Sequence, residues 1–230
     1  MSTSIKTNRH RIGMLGGIAA LAVIAATVTG GSLTAQVNGT DVYRIEEDWQ
    51  LVIGTPDNDL VVPQVTCTIS PADMNTAYCA FDVNFHSQPG WSAGGMQVHT
   101  WDPSDPIEYS NAVASGTMNT ANETVTWTQT MSLNPNTSTI RFQVINGNST
   151  TWGNFGGNPV DGFSGHLVLS INTALPNLNS YDPNVSLDNS GVSFGGNEVI
   201  SQTLMAIRYI DINGKVIAQV TTPQLVHPQQ

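Results

Sequence analysis

Charged residues are scarce in this chain, at 10% of 230 residues, and basic ones scarcer still: seven Lys and Arg stand against 17 Asp and Glu. The shortage of Glu, Lys and Arg removes the residues that build exposed helices. The acidic surplus argues against nucleic acid and anionic lipid surfaces as partners, because like charges repel. Cysteine is nearly absent. Cys67 and Cys79 form no Cys-x-x-Cys pair, and His86, His99, His166 and His227 have no His-x-His or His-Glu-x-x-His spacing, so redox and metal-hydrolase motifs are missing. There is also no P-loop or dinucleotide fingerprint. The pairs Gly94-Gly95, Gly156-Gly157 and Gly195-Gly196 read as bulges or tight bends.

What is present starts at the N-terminus. Lys6, Arg9 and Arg11 precede an uncharged stretch from Ile12 to Val28, followed by small residues up to Ala35-Gln36. This is the layout of a secretory signal peptide over residues 1–35, with cleavage expected after Ala35. The alternative is an uncleaved anchor, but 17 residues rich in Gly and Ala are short and weakly apolar for a bilayer span. Residues 36–230 then form a single domain, with no Pro/Ser linker or repeat to divide it. Only four basic residues remain there against all 17 acidic ones, a net of −13. The expected location is secreted or cell surface, with no membrane contact after cleavage.

Asn, Thr, Ser and Gly fill the place of the missing charges, which suits strands with Thr on a wet face and Asn/Gly turns. Alternation marks one strand face in each of Trp49/Leu51/Ile53, Met96/Val98, Val125/Trp127/Gln129/Met131, Ile140/Phe142/Val144 and Leu167/Leu169/Ile171. Opposite Trp127 runs a row of hydroxyls, Thr124, Thr126, Thr128 and Thr130, as expected of a sheet with one solvated side. Turn chemistry stands between the strands, including Asp182-Pro183-Asn184. Asn213-Gly214 predicts a type I′ hairpin between Arg208–Ile212 and Lys215–Val220. The stretch Glu198–Ile212 admits a helical reading, but its β-branched content favours one long strand. The fold class is therefore all-β: a two-sheet antiparallel β-sandwich, jelly-roll-like, with roughly ten or more strands and no helix in the domain. It is similar in broad style to concanavalin-like modules, an analogy of architecture that carries no function.

Cys67 and Cys79 fall on the inward faces of consecutive strands, so a disulfide between them is expected in an exported chain. Carbohydrate binding rests on aromatics with amides beside them. Gln97, His99 and Trp101 alternate against inward Met96 and Val98, with Asp102 at the strand end. Trp152 and Phe155 sit in the polar loop Asn146–Gly157, and Trp91 is a further loop aromatic. The expected ligand face is Gln97, His99, Trp101, Asp102 and Trp152. No cofactor is required. Calcium is the ion that Asp57-Asn58-Asp59, Asp102 with Asp105, and Asp182-Pro183-Asn184 suggest, although Asp and Asn in turns usually serve the turn itself. The sequence favours a non-catalytic extracellular module that binds polysaccharide or other cell-surface components or mediates adhesion. A structural, self-associating envelope or surface component comes second. A glycoside hydrolase comes third, because Glu46-Glu47-Asp48 is the densest acidic cluster but its members alternate between faces. Exposure of the tryptophans separates the first two readings.

Overall fold

The computed structural model describes residues 39–85, 95–102, 105–111, 116–157 and 167–228, with backbone alone for 101–111. The expected signal peptide, Trp91, His86 and His166 lie outside the described residues. The strands run in chain order as β1 (Arg44–Ile53), β2 (Gln64–Ile69), β3 (Tyr78–Val83), β4 (Met96–Asp102), β5 (Asp105–Asn111), β6 (Thr124–Asn134) and β7 (Thr139–Ser149). They continue as β8 (Gly153–Phe155), β9 (Val168–Asn172), β10 (Gly191–Phe194), β11 (Val199–Ile210), β12 (Val216–Val220) and β13 (Gln224–His227). One sheet has eight strands in the order β12-β11-β1-β6-β7-β8, with β13 also on β11 and β9 also on β7. The other has five, in the order β10-β2-β3-β4-β5. Every pairing is antiparallel, as the alternating sequence requires.

The core lies between the sheets and is built from the alternate residues named above. From β1 it takes Ile45, Trp49, Leu51 and Ile53, and from β6 and β7 it takes Val125, Trp127, Met131, Ile140, Phe142 and Val144, all buried. Trp49 and Trp127 are direct partners across β1 and β6, and their rings stack at 6.4 Å. Phe81 of β3 meets Trp127 edge-on at 5.4 Å, so the two sheets are keyed together by aromatics. Glu198–Ile212 resolves into β11, the long strand that its β-branched content favoured.

Several local expectations change. Asp182-Pro183-Asn184 opens a short helix, α1 (Pro183–Asp188), instead of a plain turn. Asp182 caps it by accepting from the Asn184 N–H, and Pro183 occupies the first turn, where its missing N–H costs nothing. The β11–β12 hairpin forms, but through a longer loop than a type I′ turn. Only Gly214 has positive φ, at 80°, whereas the two-residue turn needs Asn213 there as well. The Asp211 carboxylate instead accepts from the Asn213 and Lys215 N–H groups. The hydroxyl row is only partly wet: Thr128 and Thr130 are 5% and 4% exposed. The salt-bridged cluster of Arg208, Glu46 and Asp48 lies beside them, and Thr128 donates to Asp48.

The Cys67–Cys79 bridge is not present, since both are free buried thiols. The register gives the reason. Cys67 lies opposite Phe81 and Cys79 opposite Ile69, so the two are diagonal neighbours on one face. That separation, about 7 Å or more, exceeds disulfide reach. Burial also pushes both thiols well above their ordinary range, which keeps them protonated.

Candidate functional site

The strand that carries the expected ligand face is β4, and alternation places its residues as anticipated: Met96 and Val98 point into the core, Gln97 and His99 point away from it. The outer face of the small sheet is nonetheless closed at this point. Thr66, Asp82 and Gln97 lie side by side on β2, β3 and β4, and Asp82 and Gln97 are 1% and 0% exposed. Thr66 Oγ1 donates to Asp82 Oδ1 at 2.5 Å. His99 Nδ1 stands 2.9 Å from Asp82 Oδ2, close enough for an ion pair though not aligned as a hydrogen bond. Tyr78 packs edge-on against the His99 ring at 6.2 Å. Both amide atoms of Gln97 are buried without a hydrogen-bond partner. Gln97 is thus an interior residue, which does not fit a shallow open platform. The side chains of Trp101 and Asp102 lie outside the described residues.

Trp152 is also interior, 8% exposed, and its indole N–H donates to the Gly116 carbonyl at 3.3 Å. The loop before it is folded inward by Glu123. The Glu123 carboxylate accepts from Ser149 Oγ, from the Thr151 N–H at 2.8 Å and from Thr151 Oγ1 at 2.5 Å. Phe155 is likewise buried and lies over Gly147, where any Cβ would fall 2.2 Å from the ring. With both aromatics turned in, what the β7–β8 hairpin shows to solvent is amide. Asn146, Asn148 and Asn154 are exposed along an open groove, and Asn148 donates to Asn154 at 2.8 Å.

Acidic residues show a common pattern of internal use. Asp57 accepts from the Asp59 and Leu60 N–H groups, Asp73 from those of Asn75 and Thr76, and Asp182 and Asp211 serve their turns in the same way. The cluster Asp57-Asn58-Asp59 is therefore a turn, with Asp59 exposed beside it. Among the described residues no group of three or more His, Cys, Asp or Glu converges on a point. The side chain of Asp105 is outside the description.

Glu47 is the residue whose importance the sequence reading underrated. It shares the inward face of β1 with Ile45 and Trp49 and is fully buried. It accepts from Trp49 Nε1 at 3.0 Å, and from Tyr181 Oη and Ser186 Oγ at 2.6 Å each. Burial pushes its pKa up to about 7, against the opposing pull of the Ser186, Tyr181 and Trp49 donors. Through these bonds β1 anchors the segment carrying α1, which packs against β2 and β13 and borders a small apolar groove also lined by Leu204, Ile207 and Val220. On the other face of β1, Arg208 bonds both Glu46 and Asp48. Burial alone would raise the Asp48 carboxyl, but the hydrogen bonds from Arg208 and Thr128 and the Arg208 charge hold it below its ordinary value. Glu47 thus diverges to the inner face, while Glu46 and Asp48 share the outer face and are both held by Arg208.

Exposed large apolar side chains complete the inventory: Leu60, Phe194, Ile200, Ile212, Val216 and Leu225. Four of them, Ile200, Ile212, Val216 and Leu225, belong to the β11–β13 end of the large sheet. No family model, curated protein or solved structure matches this chain.

Proposed function

We propose that the chain is an exported, non-catalytic β-sandwich that serves as a structural component of the cell surface or its surroundings and acts by associating with copies of itself. The observation that carries this reading is the β12 strand at one margin of the large sheet, which among the described residues pairs with β11 alone and, with the exposed Ile212 and Val216, presents apolar side chains to solvent. Two further observations support it. The described tryptophan side chains, Trp49, Trp127 and Trp152, are all buried. The described acids near one another are committed to turns, an Arg cluster or the core, as with Asp57, Asp48 and Glu47. Sedimentation of the purified protein across a concentration series tests the reading. Mass that rises with concentration is expected, and a monomer throughout would count against it.

A second reading, glycan binding, draws on the exposed amides of Asn146, Asn148 and Asn154 in their groove. Without an aromatic platform in that groove, binding to one sugar unit is expected to be weak. Retention on a polysaccharide column, lost on Asn148→Ala together with Asn154→Ala, tests it. Calcium binding at Asp102 and Asp105 stays a proposal of the same kind. A melting temperature that rises in millimolar calcium over chelator would support it.

A further inference from the structure

The edge of β12 has a geometry that says what covers it. Among the described residues β11 is its one strand neighbour. The Asp211 N–H bonds the Lys215 carbonyl at 2.9 Å, so Asp211 directs its backbone toward β12. In an antiparallel ladder that direction alternates along the strand, so Tyr209 and Ile207 face β12 as well. Their opposite numbers are Ala218 and Val220. These are the hydrogen-bonded pairs, and Gln219 between them turns its N–H and C=O outward, away from β11. Its side chain is exposed too.

The register shifts once in β12, at Ile217, and beyond that irregularity Ala218-Gln219-Val220 runs in register with β11 and contains no charge and no proline. From Ile212 to Gln230 there is no Asp or Glu, in a chain that carries 17, while Lys215 and His227 are present. Two copies of a strongly acidic protein repel over most of their surface, so an acid-free strand is where they can approach. A cationic partner would find no attraction there. We infer that β12 pairs antiparallel with β12 of a second copy about a two-fold axis near Gln219, joining the two eight-stranded sheets into one. Around such an axis the two Gln219 residues exchange both N–H···O=C bonds, which is the self-complementary contact that closes a dimer. This inference rests on the association reading above and names its surface.

The test is sedimentation velocity on the purified protein, wild type beside two variants. Gln219→Pro removes the outward N–H and leaves the bonds of Ala218 and Val220 to β11 in place. Val216→Lys puts a charge on the exposed edge without touching the backbone. A wild-type dimer with both variants monomeric, and melting temperatures within a few degrees of wild type, is the expected result. Should Gln219→Pro fail to fold, Val216→Lys alone decides. A dimer that persists in the folded variants overturns the β12 assignment while leaving self-association standing. A wild-type monomer at the highest workable concentration, about 1 mM, overturns both.

Discussion

The two margins of the large sheet solve the problem of an unpaired strand in opposite ways. At the β8/β9 margin the last strands are short, β8 having three residues, and β9 packs against β4 and β5 of the facing sheet. Gly153, Gly156 and Gly157, all at positive φ, bend the chain there, and Phe155 fills the space over Gly147. That margin is closed by shape. At the β12 margin the strand is uncharged and, among the described residues, pairs with β11 alone, its register shifting once at Ile217, while α1 reaches the β12–β13 junction near Val220 and Gln224. The segment carrying α1 is tethered through Tyr181 and Ser186 to a single carboxylate, Glu47. Short, bent strands closing one edge and an uncharged segment left open at the other is the pattern expected where one edge has a partner.

The largest effect that separates the margins is steric. Gly147→Ala drives a Cβ into the buried Phe155 ring, and a loss of about 3 kcal/mol is expected from overpacking. Gly214→Ala, at the tip of the open margin, meets nothing within 4 Å and pays only for its positive φ, about 1 kcal/mol. Chemical denaturation of both variants checks the difference, and equal losses would erase the contrast.

Next comes the anchor of α1. The Glu47 carboxyl titrates near 7 in the folded chain against 4.5 when exposed, so between those values the native state holds a proton that the unfolded state has released. Stability therefore falls as pH rises from about 4.5 to 7 and levels off above, by on the order of 3 kcal/mol. The opposite sign applies to Asp48 and Asp73. Their lowered pKa values give stability that is lost only as pH falls through them, below the ordinary carboxylate range. A melting temperature highest near pH 5, with the decline toward pH 7 flattened in Glu47→Gln, is expected. A profile that rises steadily to pH 7 in the wild type would count against the buried anchor.

The smallest expected effect is that of salt. Since both copies of the exported chain, residues 36–230, carry a net charge of −13, moderate salt should tighten association by screening their repulsion, a change of a few fold in the dissociation constant. Weakening by salt would point to an ion-paired interface instead of an uncharged strand.

Much of the sandwich was legible because a period of two is hard to mistake over strands as long as β6 and β7, and Val125, Trp127, Ile140 and Phe142 all face inward as their spacing requires. Glu47 carried the same signal, being in phase with Ile45 and Trp49, but a carboxylate at a core position reads as surface until its donors arrive from Tyr181 and Ser186, more than 130 residues away. Alternation told which way Gln97 points and could not tell that this outer face is closed, since exposure depends on what packs against a face. Register was equally hidden: an offset of two residues between β2 and β3 separates Cys67 from Cys79 without altering which side either one faces. The helix α1 escaped because Asp-Pro-Asn opens turns and helices alike, and six residues are too few to show a period.

Hydrogen exchange at one backbone amide probes the open margin most directly. The Gln219 N–H, which alternation turns away from β11, should exchange quickly in dilute solution and slow markedly as concentration rises, while the Gly153 amide at the closed margin stays unchanged. A Gln219 exchange rate independent of concentration would contradict the strand-paired dimer.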